Sequence, residues 1–389
     1  MSPSVERVDP NTDFRRWRGS ISPGAAMFSA ALALRAFLLA VVFFIKGENW
    51  PHFISNSDAG SFIPVAKVIF GISPASSLSI YDTRVFPGWP LIFGWALKIG
   101  LPDPAVLAFS CCLAALVPVL FLLLTGERTL SWYLVYFPPA WLIASTHPIS
   151  EPAYLAVVLV GLIAAKHSRP TLTGVFGGGL VVIRAFGIAW AAAFFFAQLR
   201  RKRLINWASG RFILAAAVPV ALLLLLNFKL YGNPLQQVHT YGRPLAELNI
   251  PPATAAELNN PSGHWGWPFE HLLLTPWRTH VPLWKTVYIY AHVPVLLLLV
   301  WRAVASLRSE VTEEDWKTAL VLGFLFNSAL IVCTGPYWGF ESFDRYFVWG
   351  LPGALWLSRR WLANDVRWHL FLFPASLGLS LRAILGHPG

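Results

Sequence analysis

"TLTGVFGGGLVVIRAFGIAWAAAFFFAQL" (residues 171–199) carries a single charged residue, Arg184, near its middle. The stretch is either one long helix or two short ones broken near that arginine. The flanking charge chooses between them. "LRRKRLINWASGR" (199–211) is the densest basic connector in the chain, and short Lys/Arg-rich connectors stay on the cytoplasmic side of a membrane. "FRRWRGS" (14–20), "GERTLSW" (126–132), "KHSRP" (166–170), "WRAVASLRS" (301–309) and "SRRW" (358–361) belong on the same side. Placing them all there requires two passes through 171–199. It also requires that "GWPLIFGWALKIG" (88–100), a short run containing Pro90 and Lys98, does not cross. It reads instead as an interfacial or re-entrant helix.

Composition agrees with a membrane-embedded chain. The 389 residues are 56% hydrophobic and only 13% charged, against about a quarter charged in soluble domains. Apolar runs of spanning length, about 17–25 residues, lie near 25–45, 104–125, 211–230, 284–302, 317–333 and 366–385, with shorter ones near 131–146, 151–166 and 346–358. The expected fold is therefore an all-α polytopic membrane protein. It has about eleven transmembrane helices, its N-terminus is inside, and 1–389 form one membrane-embedded domain. The first run has no small-residue cleavage site after it and reads as an anchor rather than a signal peptide.

Several function classes fall away. A net charge of +11 is here an orientation signal. The basic residues occupy connectors, with no soluble basic surface interleaved with stacking aromatics, so no nucleic acid partner is expected. Cys111, Cys112 and Cys333 lie in apolar runs without Cys-x-x-Cys or Cys/His spacing, so neither a disulfide framework nor a zinc site is indicated.

Two long segments, 46–103 and 231–283, face outside on this map, while the cytoplasmic face is nearly bare. Function concentrates on the elaborated face. There, "SNSDAGSF" (55–62) places Asp58 just past the first span. Ser57 or Asp58 can cap the amphipathic interfacial helix that follows, so a purely structural role competes with a chemical one. "STHPISEPAY" (145–154) puts His147 and Glu151 at one membrane boundary. Ser150 suits an N-cap and Pro152 an early helical position, which is again a sufficient structural reason for the motif. Arg184 falls in the outer turn between the two passes, where a guanidinium fits phosphate best. "GPYWGFESFDRYFVWG" (335–350) brings Tyr337, Trp338, Glu341 and Arg345. A local pair of Arg345 with Glu341 or Asp344 is the plain alternative, worth about 0–1 kcal/mol at an interface.

The order of these elements resembles the GT-C superfamily of integral-membrane glycosyltransferases. The matching residues are "NSDAGSF", "RVFPGWPLIFGWALKIG", "HPISEPAYLAVVLVGLIAAK", "VVIRAFGIAW", "YGNPLQQVHTYG" and "DRYFVWGLPGALWL". Among its subgroups the chain looks most like GPI-mannosyltransferase-II-like and related bacterial proteins, although Ser57 stands where that subgroup usually has Trp before the Asp. The resemblance implies a GT-C-like fold with interfacial helices in the first exoplasmic loop. It also implies an inverting transfer of a sugar, mannose or another hexose, from a polyprenyl- or dolichyl-phosphate donor. The acceptor would be a hydroxyl on a glycan, glycolipid or protein. The resemblance puts Asp58 and Glu151 in catalytic positions and Arg345 on the donor phosphate. Arg184, His147, Tyr337, Trp338 and Glu341 are expected to bind substrate. No cofactor is expected, and without an Asp-x-Asp pair in the first loop a divalent cation is not favoured. The expected setting is a bacterial inner or cell membrane, with the site on the exoplasmic side and membrane lipids as further partners.

Two other readings use the same residues. A lipid or sugar transporter or flippase also needs membrane-level charges, but its sites lie near mid-membrane between symmetric halves, and no internal repeat is visible. A non-catalytic lipid-sugar binding subunit would share the fold and lack the base.

Overall fold

The computed structural model describes residues 22–47, 59–80, 82–202, 207–241, 268, 283–309, 314–334 and 343–386. Among them the chain is helical, with no β-strand. Helix α1 (Pro23–Lys46) is followed by two short helices, α2 (Ala59–Ile69) and α3 (Gly88–Lys98), and then by α4 (Ala105–Thr125). Next come α5 (Arg128–Tyr136), α6 (Pro139–Ser145), α7 (Glu151–Lys166), α8 (Pro170–Ile183) and α9 (Gly187–Lys202). Helices α10 (Trp207–Tyr231), α11 (Gln236–Tyr241), α12 (Leu283–Ser309) and α13 (Asp315–Val332) continue the chain. The last four are α14 (Phe343–Trp349), α15 (Leu351–Leu357), α16 (Arg359–Leu362) and α17 (Arg367–Gly386). Five of these segments are long and apolar enough to cross a membrane: α1, α4, α10, the stretch Tyr290–Arg308 of α12, and α13. The protein is thus compatible with a polytopic integral membrane protein, its backbone polar groups satisfied within helices as a bilayer demands.

Side-chain contacts define two ends. Ser110, near the start of α4, donates to the carbonyl of His147 at 2.7 Å, just before α7. At the other end of both helices, the Lys166 ammonium donates to the carbonyl of Leu124 at 2.6 Å. Helices α4 and α7 are therefore parallel, with a Glu151 end and a Lys166 end. Sixteen residues of α7 separate the two by about 24 Å.

The stretch 171–199 forms two helices, in agreement with the charge reading. Helix α8 opens on Pro170, where a missing N–H costs nothing, and stops at Arg184, whose backbone is extended (φ −161°, ψ 145°). Gly187 makes the reversal tight enough: a Cβ there would collide with the backbone of Leu180. Further back, Gly174 and Gly178 lie one turn apart on α8. A Cβ on Gly174 would collide with the carbonyl oxygen of Phe212, and one on Gly178 with that of Ala216, both on α10. This small-x-x-x-small pair lets two helices approach at backbone distance where apolar lipid supplies no hydrophobic drive. Gly178→Val is expected to cost about 1–3 kcal/mol or more by forcing that seam apart, read as a lower melting temperature in detergent. An unchanged melting temperature would mean that α8 and α10 are not so closely packed.

The apolar run 131–146 is likewise interrupted, at Phe137, by Pro138 and Pro139. Neither proline has an N–H to offer the helix, so the carbonyls of Leu134 and Val135, four residues earlier, lose their usual donors. Both find others. The Trp141 indole donates to Leu134 at 2.7 Å, and Arg35 on α1 donates to Val135 at 3.1 Å. Arg35 is fully buried, also donates to Ala31 at 2.9 Å, and lies over the Trp141 ring at 5.3 Å. A guanidinium inside an apolar helix thus closes the break between α5 and α6.

Helices α2 and α3 form a platform at the Glu151 end. At 11 residues each they are too short to cross a bilayer. Phe62 and Val65 of α2 bury with Trp89 and Phe93 of α3 and with Ile149 and Ala153 around the start of α7. Trp89 also donates to the carbonyl of Pro148 at 2.9 Å. The platform is packed onto the bundle rather than lying free on its surface.

Candidate functional site

Glu151 is the first residue of α7 and is completely buried. Helix geometry supplies part of the reason, since a carboxylate in the first turn faces the positive end of the helix dipole. Two guanidinium groups supply the rest. Arg184, in the turn after α8, donates from Nη1 to Glu151 Oε1 at 3.0 Å. Arg345, in the first turn of α14, donates from Nε to the same oxygen. One carboxylate oxygen therefore ties together three segments widely separated in sequence. Both arginines remain reachable, at 11% and 19% side-chain exposure.

Ser150 stands at the N-cap position of α7, yet its hydroxyl does not cap the helix. Its backbone is helical rather than extended (φ −77°, ψ −13°), and Pro152 at the second helical position has no N–H to donate to its oxygen. The Oγ instead accepts from Arg184 Nη1 at 2.7 Å. The expected capping role gives way to a charge-assisted hydrogen bond, the stronger of the two.

Aromatic rings fix the arginine from the other side. The Arg184 guanidinium sits 4.5 Å over Trp349, a cation–π contact strengthened by burial. Trp349 is fully buried, packs against Phe186 (4.3 Å) and Tyr346 (4.5 Å), and accepts at its carbonyl from the Trp190 indole at 3.1 Å. The Tyr154 hydroxyl donates to the carbonyl of Phe186 at 3.1 Å, which holds the turn after Arg184 against α7. Sequence reading missed Ser150 and Trp349 as partners of Arg184. Nothing local signalled either one, because both meet an arginine that arrives from another part of the chain.

His147 lies next to this cluster in sequence but is held elsewhere. Its Nδ1 is 2.9 Å from the carbonyl of Ile143, one turn back on α6. Glu151, Arg184 and Arg345 are thus brought together, and His147 flanks them on the connector into α7. Asp58, Tyr337, Trp338 and Glu341 lie outside the described residues. The local pairing considered for Arg345 involves Glu341 or Asp344; the contact it makes with described atoms is to Glu151, 194 residues away in sequence.

At the rim of this end, α11 docks on the first loop. Asn227 and Gln237 exchange side-chain hydrogen bonds, one of them at 3.0 Å, and Gln236 donates to Thr83 at 3.1 Å. The expected motif "YGNPLQQVHTYG" thus ties the end of α10 to residues 83–85. No group of three or more His, Cys, Asp or Glu side chains capable of holding a metal ion occurs among the described residues. No known family model and no curated protein matches the chain.

Proposed function

We propose that the protein is an inverting glycosyltransferase of GT-C type, moving a hexose from a polyprenyl-phosphate donor to an acceptor hydroxyl on the exoplasmic side of a membrane. The observation that carries this reading is the buried Glu151, on whose Oε1 Arg184 and Arg345 converge from two other parts of the chain. Such a cluster suits the phosphate of an amphiphile whose tail lies in the bilayer.

The path of the chain supports the same reading. In the proposed topology the chain makes eleven passes, through α1, α4, α5 with α6, α7, α8, α9, α10, α12, α13, α14 with α15, and α17, and five of these contain a segment long and apolar enough to cross a membrane. Basic connectors gather at the Lys166 end, the cytoplasmic side under the positive-inside rule, so the arginine cluster falls on the opposite side. Phe62, four residues beyond Asp58, buries with Ile149 and Ala153 beside the start of α7, which favours a shared site for Asp58 and Glu151.

In the proposed mechanism the Asp58 carboxylate accepts the proton of the acceptor hydroxyl as its oxygen bonds to the anomeric carbon. The bond from that carbon to the donor phosphate oxygen breaks, and the polyprenyl phosphate leaves with the electron pair. Arg345 and Arg184 meet the charge that develops on it, where preorganised donors are most effective. Glu151 acts by fixing those two guanidinium groups. His147, Tyr337, Trp338 and Glu341 are assigned to the sugar and to the first isoprene units.

The test is transfer by the purified protein in lipid nanodiscs, given a polyprenyl-phosphate hexose and a hydroxyl acceptor. Product with inverted anomeric configuration is expected. Retained configuration, or tight donor binding without turnover across hexose donors, would replace this reading with a different mechanism or with a binding subunit.

A further inference from the structure

The Lys166 end carries a second feature, about 24 Å along α7 from the arginine cluster. A cavity of about 850 Å³ opens there between α1, α5 and α17. Its wall is mainly carbon, with Ala30 and Leu34 from α1, Trp132 and Tyr136 from α5, and Leu370 and Phe373 from α17. It lies on the outer perimeter, since Leu370 is 76% exposed. Ala30, seven residues into α1, and Phe373, six into α17, put its floor about 10 Å below the helix ends. His369 holds one side rigid, stacked on Tyr133 at 4.1 Å and hydrogen-bonded through Nδ1 to the Tyr136 hydroxyl at 2.6 Å.

We propose that this groove binds one anionic phospholipid of the adjoining leaflet, its acyl chain against the carbon wall and its phosphate at Arg128. Arg128 lines the mouth, is exposed, and makes no hydrogen bond or ion pair among the described residues. Four cations (Arg128, Arg359, Arg360, Arg367) and two acids (Glu127, Asp365) lie in the segments meeting here, a net of +2. Asp365 and Arg367 pair with each other at 2.9 Å, and of these six charged groups Arg128 is the one that lines the cavity. Helices α1, α5 and α17 all begin at this end, so their dipoles add positive potential. A free phosphate would gain nothing from the carbon wall, and a zwitterionic lipid would gain little from the charge. An anionic lipid gains from both.

The proposal is independent of the glycosyl-transfer reading and is tested on the full chain without an activity assay. The protein is reconstituted in nanodiscs of equal phosphatidylglycerol and phosphatidylcholine with identical acyl chains, then extracted, and the retained lipid is counted by native mass spectrometry. One phosphatidylglycerol should be kept over phosphatidylcholine by about five-fold. Arg128→Gln should bring the ratio close to one while a lipid is still retained. Ala30→Trp, which fills the groove, should remove retention of both. If that variant does not fold, Leu370→Trp, at an exposed position of the wall, takes its place. Equal retention by wild type, or an unchanged ratio in Arg128→Gln, overturns the proposal. So does displacement of the lipid by inorganic phosphate alone, which would make the site a simple anion site.

Discussion

Glu151→Ala is expected to lower the melting temperature of the purified protein by on the order of 5–10 °C. The variant leaves Arg184 and Arg345 without the carboxylate oxygen on which both converge, in a setting where that oxygen is fully buried. Removing one member of a buried charge cluster costs about 3–5 kcal/mol, because the cost of keeping the remaining charges out of water persists. Glu151→Gln should fall between, since it keeps an acceptor oxygen but loses the charge. A double-mutant cycle makes the origin measurable: on an Arg345→Met background, Glu151→Ala should cost less, with a coupling of about 0.5–3 kcal/mol. If Glu151→Ala melts within a degree of wild type, the cluster does not hold α7, α8 and α14 together, and the site loses its anchor.

Asp58→Asn is expected to reduce transfer about 10²–10⁴-fold, the usual loss when a general base is removed, with little change in KM for the donor. Asparagine keeps the size of the side chain and its ability to cap a helix, so a purely structural role for Asp58 predicts almost no loss. That contrast makes this substitution more informative than alanine. Turnover equal to wild type would show that the acceptor proton goes elsewhere and that the base must be sought among other exoplasmic residues. Glu151 is the poorer candidate for such a base, because two arginines already hold one of its oxygens.

The two substitutions probe different levels of the architecture, and sequence reading served them unequally. Helix positions could be read from apolar length, and the break between α8 and α9 from the flanking charge. The break at Arg184, the separate short helix within 88–100 and the nearness of Glu151 to Arg345 agree with that reasoning, since hydropathy and basic connectors act locally along the chain. Ser150 shows its limit. Every local rule made it a cap, and its hydroxyl serves an arginine 34 residues away instead.

Arg35 shows the same limit from the other direction. Inside the first apolar run it is an anomaly that local rules cannot explain. Its reason is a carbonyl left open by Pro139, a hundred residues later in the chain. Glu151 completes the pattern. A carboxylate at a helix start is ordinary until Arg184 and Arg345 arrive from other helices to share one of its oxygens. Elements followed from the chemistry of neighbouring residues, because length, periodicity and connector charge are properties of a contiguous segment. Partners followed only from packing, because a buried polar group takes whichever complementary group the fold brings within hydrogen-bond reach, and sequence separation does not enter that choice.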